Sequence, residues 1–236
     1  MIVIYDFDGT LTPYSLPQYE IIKKCGYNEE KLINRVAEEL TNSKGLYEAY
    51  YKCYTEILLE NNILLTKENV CLGADKVKFN NGVIEYFKNF QSRKTGVKHY
   101  IVTSGIKDYV NKTVIGKYVD GVYGVTFNEE NGIYKNIDKL VTDEKKVDAI
   151  KDIQLHNEGT NKIIYFGDGL TDELAFQYVH KIGGKNVFIA SNKQSIENYN
   201  KLNINGLIDK CYEADFGNVT KLSEYIQKEI YLEREC

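Results

Sequence analysis

Met1-Ile2-Val3-Ile4-Tyr5-Asp6-Phe7-Asp8-Gly9-Thr10-Leu11-Thr12 is the stretch from which the rest of the chain can be read. Its first five residues are apolar without a break, too short for a helix and suited to a strand buried on both faces. Two aspartates spaced two apart come next, at the strand's carboxyl end, the edge where open α/β sheets bind ligands. Alternation along a strand sends residues two apart to one face, and Gly9 lets the backbone loop so that both carboxylates aim into one crevice. A plain Asp-Gly turn is the simpler account of the same residues. Two carboxylates buried together are costly without a cation, so the functional account needs a nucleophile, a proton shuttle and a shared divalent ion.

Outward from this stretch, buried-strand character recurs at Tyr100 to Val102, Ile163 to Phe166 and Val187 to Ala190, with a weaker run at Gly206 to Ile208. Between the runs lie stripes of helical period: Val83, Ile84, Tyr86, Phe87 and Phe90; Val147, Ile150 and Ile153; Leu222, Ile226 and Ile230. Strand, helix, strand in succession predicts an α/β protein with a parallel sheet and right-handed crossovers. Residues 13–78 break the rhythm, with helical patterns at Glu29 to Leu40 and Leu46 to Glu60 but no buried strand, and read as a helical insert. Both prolines of the chain, Pro13 and Pro17, stand where it would leave the sheet for this insert. Val122 to Phe127 and Ile133 to Lys135 flank a glycine-containing loop, which predicts a β-hairpin.

Composition excludes several classes of function. With 236 residues, 43% hydrophobic and 27% charged, the chain is ordinary globular material. Its net charge of −4 has no basic block, which argues against a nucleic-acid partner. No apolar run approaches the roughly 18 residues of a membrane span, and the N-terminus lacks a basic-then-apolar layout, so a cytoplasmic protein is expected. Five cysteines without CxxC spacing (Cys25, Cys53, Cys71, Cys211, Cys236) read as incidental thiols.

The fourth buried run leads directly into Gly167-Asp168-Gly169-Leu170-Thr171-Asp172, where acids again crowd a strand's carboxyl end. Glycines allow close approach of backbone to an ion, and Asp168 and Asp172 offer the hard oxygen ligands that magnesium prefers. In isolation, Asp172 could merely start a helix. Together the two motifs resemble the haloacid dehalogenase superfamily, whose aspartate-nucleophile phosphatases carry an Asp-x-Asp-x-Thr first motif and a Gly-Asp-x-x-x-Asp last motif. Ser104-Gly105 stands where the second motif belongs, with Thr103 as a substitute for the serine. Lys146, in helical phase with Ala149, Ile150 and Ile153, suits the third-motif lysine better than Lys145.

The resemblance implies a Rossmann-like three-layer α/β/α core, residues 1–12 and 79–236, and a small all-helical cap, residues 13–78, of the kind seen in phosphoserine-phosphatase-like members. It implies Asp6 as nucleophile, Asp8 as the acid and then base, Ser104 and Lys146 as further catalytic groups, and Thr10 and Gly105 on the substrate side. It implies a magnesium ion held by Asp6, the Asp8 carbonyl and Asp168, with Asp172 alongside or through water. The implied reaction is hydrolysis of a small phosphorylated metabolite, with transfer to an alcohol, or a non-catalytic binding role on the same fold, as alternatives. Asp8 favours phosphate over halide chemistry, because a halide leaving group needs no proton. The chain departs from phosphoserine phosphatases after the first motif, where they place a glutamate for the substrate amine: Ser15 stands there, with Gln18 and Glu20 out of step. Arg35 is the candidate for a substrate carboxylate. His99, His156 and His180 lie outside all four motifs, and the sequence does not define an oligomeric state.

Overall fold

A computed structural model describes residues 1–14, 17, 19–93 and 96–231; Ser15, Gln18 and Cys236 lie outside the described residues. Among these residues one 7-stranded sheet is formed by β1 (Ile2–Tyr5), β2 (Lys98–Ile106), β3 (Gly121–Glu130), β4 (Ile133–Lys139), β5 (Ile163–Gly167), β6 (Lys185–Ala190) and β7 (Lys210–Glu213). The order is β4-β3-β2-β1-β5-β6-β7, and every neighbouring pair is parallel except the β3-β4 hairpin. The chain steps from β1 to one side for β2 and to the other for β5, so a crevice opens at the carboxyl end of β1. The uninterrupted apolar run of β1 is explained by its central place: all four residues are buried, each worth about 1.5–3 kcal/mol of transfer free energy.

Among the described residues five α-helices separate β1 from β2: α1 (Glu20–Lys24), α2 (Glu29–Glu39), α3 (Leu46–Glu60), α4 (Lys67–Val70) and α5 (Val83–Arg93). Five more lie beyond β2, α6 (Lys107–Lys112), α7 (Asp143–His156), α8 (Glu173–Lys181), α9 (Lys193–Leu202) and α10 (Lys221–Ile226). Alternation along β1 divides the core into two layers: Val3 and Tyr5 pack towards α5 and α10, Ile2 and Ile4 towards α7, α8 and α9. The predicted three-layer α/β/α arrangement is therefore present. Helices α1 to α4 gather around a third apolar cluster with Tyr51 and Tyr54 at its heart, joined by Ile106, Tyr109, Val125 and Tyr134 from the sheet end.

The predicted hairpin is present, turning at Asn131 and Gly132, both with φ above zero (53° and 78°) as a tight two-residue turn requires. The weak strand expected at Gly206 to Ile208 is displaced. Gly206 instead closes a turn in the left-handed region (φ 64°), Leu207 and Ile208 plug the core, and β7 begins at Lys210, where it meets Val187 of β6. His99 is buried among aromatic rings with Nδ1 3.0 Å from the Tyr5 hydroxyl, and burial lowers its pKa to about 4, so it serves packing as a neutral ring. Cys25, Cys53, Cys71 and Cys211 are free thiols. Among the described residues no helix is long and apolar enough to cross a membrane.

Candidate active site

The backbone N–H of Asp6 donates to the Phe166 carbonyl (2.8 Å), prolonging the β1-β5 ladder by one residue and fixing where the first carboxylate leaves the sheet. The chain then turns at Gly9, with φ +83°, and comes against the loop after β5. A Cβ at this position would lie 2.1 Å from Asp168 Oδ2, so only glycine permits both the conformation and the approach. Across this contact Thr10 Oγ1 donates to Asp168 Oδ1 (3.0 Å), linking two motifs 158 residues apart. Thr10, expected on the substrate side, is fully buried and gives its hydroxyl hydrogen to Asp168.

Helix α7 supplies the cation. Thr142 caps it by accepting from the Lys145 amide, and the resulting phase turns Lys146 inward beside Ala149, Ile150 and Ile153. Lys146 Nζ donates to Asp172 Oδ1 (2.7 Å) and lies 3.1 Å from Asp6 Oδ1. Lys145, the alternative, is exposed and pairs with Asp148. Asp172 accepts two further amide bonds on Oδ2, from Asp168 (3.1 Å) and Gly169 (3.3 Å), and one from the Tyr165 hydroxyl on Oδ1 (2.7 Å). Both oxygens of Asp172 are engaged in this way, so it anchors Lys146 and the loop. Oxygens of Asp6, Asp168 and Asp172 nevertheless lie within 4.8 Å of one another.

The electrostatics come from crowding acids where water is excluded. Burial lifts the Asp6 pKa from 3.8 to about 7, with Lys146 pulling it down and Asp172 pushing it up. Burial, then the charge of Asp6, raises Asp8 well above the carboxylate range, which suits a group that must hold a proton. Asp168 is raised for the same reasons. Burial alone would lower Lys146, but Asp172 and Asp6 outweigh it and hold the ammonium well above its usual range.

The third wall is the end of β2, where the pairing with β3 slips between Val102 and Ile106. Inside the slip Thr103 Oγ1 is buried and accepts from the Gly105 amide (2.9 Å), so it shapes the turn. The Ser104 hydroxyl, by contrast, is buried without a hydrogen-bond partner, and both residues line the same cavity. We expect Ser104→Ala to lower kcat/KM about 10- to 100-fold, the worth of one hydrogen bond to a charged group, while leaving the thermal midpoint within a degree or two. Parallel kinetics and melting curves check both halves.

These groups form the floor of a cavity of about 520 Å³: Asp6, Asp8, Ser104, Gly105, Lys146 and Asp168 line it together. Its other walls come from α2 and α3. Arg35 is not among its lining residues. Its guanidinium, expected at a substrate carboxylate, binds Glu60 (2.6 Å), Glu56 (3.2 Å) and the Tyr27 hydroxyl (2.7 Å) on the far face of α2. Sequence reasoning missed the tyrosines of the helical segment. Tyr51 donates to the Ser104 carbonyl (2.7 Å), Tyr19 accepts from the Ile106 amide (2.8 Å), and Tyr47 donates to Asp143 at the start of α7 (2.5 Å). The signal was available: Tyr47, Tyr50, Tyr51 and Tyr54 repeat at helical spacing in a chain with 20 tyrosines and no tryptophan.

Asp6 and Asp8 at the first strand, Ser104 at the second, Lys146 on the intervening helix and Asp168 after the next strand thus converge as the motif order requires. The family model of haloacid dehalogenase-like hydrolases matches residues 3–176, spanning all of these positions. The chain belongs to this family. Solved structures similar to this family member include a phospho-aspartyl intermediate analogue of phosphoserine phosphatase, 18% identical with a TM-score of 0.64 over 97% of this chain and 98% of that one. A substrate-bound phosphoserine phosphatase complex is likewise 18% identical, with a TM-score of 0.65 over 97% of each chain. A haloacid dehalogenase family hydrolase from Salmonella enterica serovar Typhi is 15% identical, with a TM-score of 0.67 over 98% of this chain and 72% of that one. At such identities the likeness is one of fold. No curated protein sequence matches the chain.

Proposed function

We propose that this member of the haloacid dehalogenase-like family is a magnesium-dependent cytoplasmic phosphatase that hydrolyses a small phosphorylated metabolite through an aspartyl-phosphate on Asp6. The observation that carries the reading is the Asp6 carboxylate held by Lys146 Nζ (3.1 Å) at the floor of a cavity that Asp8 and the unpartnered Ser104 hydroxyl also line. An Asp6 oxygen attacks phosphorus, the P–O bond to the alcohol breaks, and Asp8 delivers its proton to the departing oxygen. Water then attacks the phosphorus of the acyl phosphate, Asp8 takes the water's proton, and inorganic phosphate leaves with Asp6 restored. Lys146 and Ser104 hold phosphoryl oxygens during both steps.

The residues fit a divalent ion. Among the described residues Asp6, Asp8, Asp168 and Asp172 crowd four carboxyl groups around the Lys146 ammonium, and oxygens of Asp6, Asp168 and Asp172 lie within 4.8 Å of one another. Hard oxygens with uncompensated negative charge are the donor set of magnesium, and Asp6, the Asp8 carbonyl and Asp168 would hold it. Its contribution is to neutralise charge between an anionic nucleophile and an anionic phosphate. Residues 13–78 act in this reading as a cap over a core of residues 1–12 and 79–236, keeping bulk water and large polymers from the phosphoryl group. The test is phosphate release from a generic ester such as p-nitrophenyl phosphate. Turnover with magnesium that vanishes in excess chelator and returns on adding the ion is expected, and its absence under every metal condition overturns the proposal.

A further inference from the structure

We infer that the cavity takes phosphate monoesters of apolar alcohols, aryl or alkyl, rather than of amino acids, amines or polyols. The inference rests on the phosphatase reading and narrows its substrate class. Among the described residues every charged side chain lining the cavity, Asp6, Asp8, Lys146 and Asp168, belongs to the phosphoryl end. The residues contributed by α2 and its flank are Leu32, Ile33, Val36, Ala37 and Leu40. Leu46, at the start of α3, continues the same wall. Nor does the chain between the first motif and α1 supply a charge, since Gly9 through Tyr19 contains no acidic or basic residue. An ammonium or carboxylate on the alcohol portion would enter this space without a counter-charge, a desolvation cost with no return.

The phase of α2 shows that this is not merely a helix packing its apolar side. Lys31, Asn34, Arg35, Glu38 and Glu39 face the opposite, polar groove, while the apolar stripe turns to the cavity. Leu32 and Val36 of that stripe are buried, but Ile33 (45% exposed), Leu40 (41%) and Leu46 (50%) are left open to solvent, as is Leu170 (43%) from the loop after β5. Four large apolar side chains exposed around one cavity mouth, directly above a phosphoryl site, form a surface that a ligand covers. The volume of 520 Å³ falls within the ~300–1,000 Å³ of small-molecule sites. The tyrosine hydroxyls are the polar groups of the helical wall. Tyr47 and Tyr51 spend theirs on Asp143 and Ser104, whereas the Tyr50 hydroxyl is buried with no partner. Thr171 and Asn198 add two neutral polar groups to the lining and no charge, so a neutral, mainly apolar alcohol portion matches that inventory.

The decisive comparison is kcat/KM for n-hexyl phosphate and 2-naphthyl phosphate against phosphoserine and phosphoethanolamine, with magnesium present. The apolar esters should lead by about 100-fold or more, and Ile33→Glu and Leu46→Glu, at exposed positions that a charge can occupy in the folded protein, should each cut that ratio about tenfold. Phosphoserine or phosphoethanolamine turned over as well as the apolar esters overturns the inference, as does a ratio unmoved by both variants. Calorimetric binding of n-hexylphosphonate against 2-aminoethylphosphonate separates the preference of the cavity from the chemistry at its floor. If no ester is hydrolysed, the phosphatase reading fails, and the inference then stands only if hexylphosphonate binds at least tenfold more tightly.

Discussion

Asp6→Asn should lose at least about 10⁴-fold in kcat, the scale on which a covalent nucleophile's removal is felt, and should form no phospho-enzyme. The substitution keeps the shape of the side chain and the amide bond from Asp6 to Phe166, and it leaves Lys146 paired with Asp172. The folded protein should survive it and be somewhat more stable. Burial holds Asp6 at about 7 against an ordinary 3.8, so in the metal-free protein its charge opposes folding. A carboxylate raised in the folded state costs nothing below its unfolded pKa and costs progressively more as pH rises from about 4 to 7. The gain of Asp6→Asn should therefore appear above that window and vanish at pH 4. Melting curves at pH 4 and pH 8 in chelator, with acid-quenched labelling by a phosphoryl donor, check the two halves. Retained turnover refutes the assignment of the nucleophile.

Lys146→Met should harm both catalysis and the fold. Lys146 is fully buried and is the cation bonded to Asp172, whose other acceptor bonds come from neutral groups. Removing one member of a buried ion pair leaves the other charge stranded and costs about 3–5 kcal/mol. Pairing the change with Asp172→Asn should recover part of that loss without restoring activity, because the charge beside Asp6 is still missing. Urea denaturation of the single and double variants gives the coupling. A Lys146→Met protein as stable and as active as the parent would place the functional cation elsewhere.

The chemical end of the molecule was legible because its residues are bound to strand ends. The run Met1 to Tyr5 could only be a strand buried on both faces, and a central strand in an open parallel sheet delivers the next residues of the chain to a ligand edge. Lys146 was legible from helical phase, since the stripe that buries Ile150 and Ile153 must carry the lysine inward with it. Choosing between Thr103 and Ser104 needed the register slip in β2, a pairing property that no residue pattern announces. Arg35 misled for a related reason. A lone arginine on an amphipathic helix has two faces to choose from, and the acids that claim it, Glu56 and Glu60, lie on α3, 21 and 25 residues away. The bond from Thr10 to Asp168 was not legible, because it joins residues 158 apart in the chain.

The bonds from Tyr51 and Tyr19 to the β2 turn carry a consequence for how such proteins diversify. The roof of the cavity is stitched to the backbone on either side of Gly105, next to the Ser104 hydroxyl. Roof and floor are therefore not interchangeable modules. A foreign segment grafted between Thr12 and Phe79 would arrive without the two phenols that brace that turn, and would leave the turn unsupported with every acid still in place.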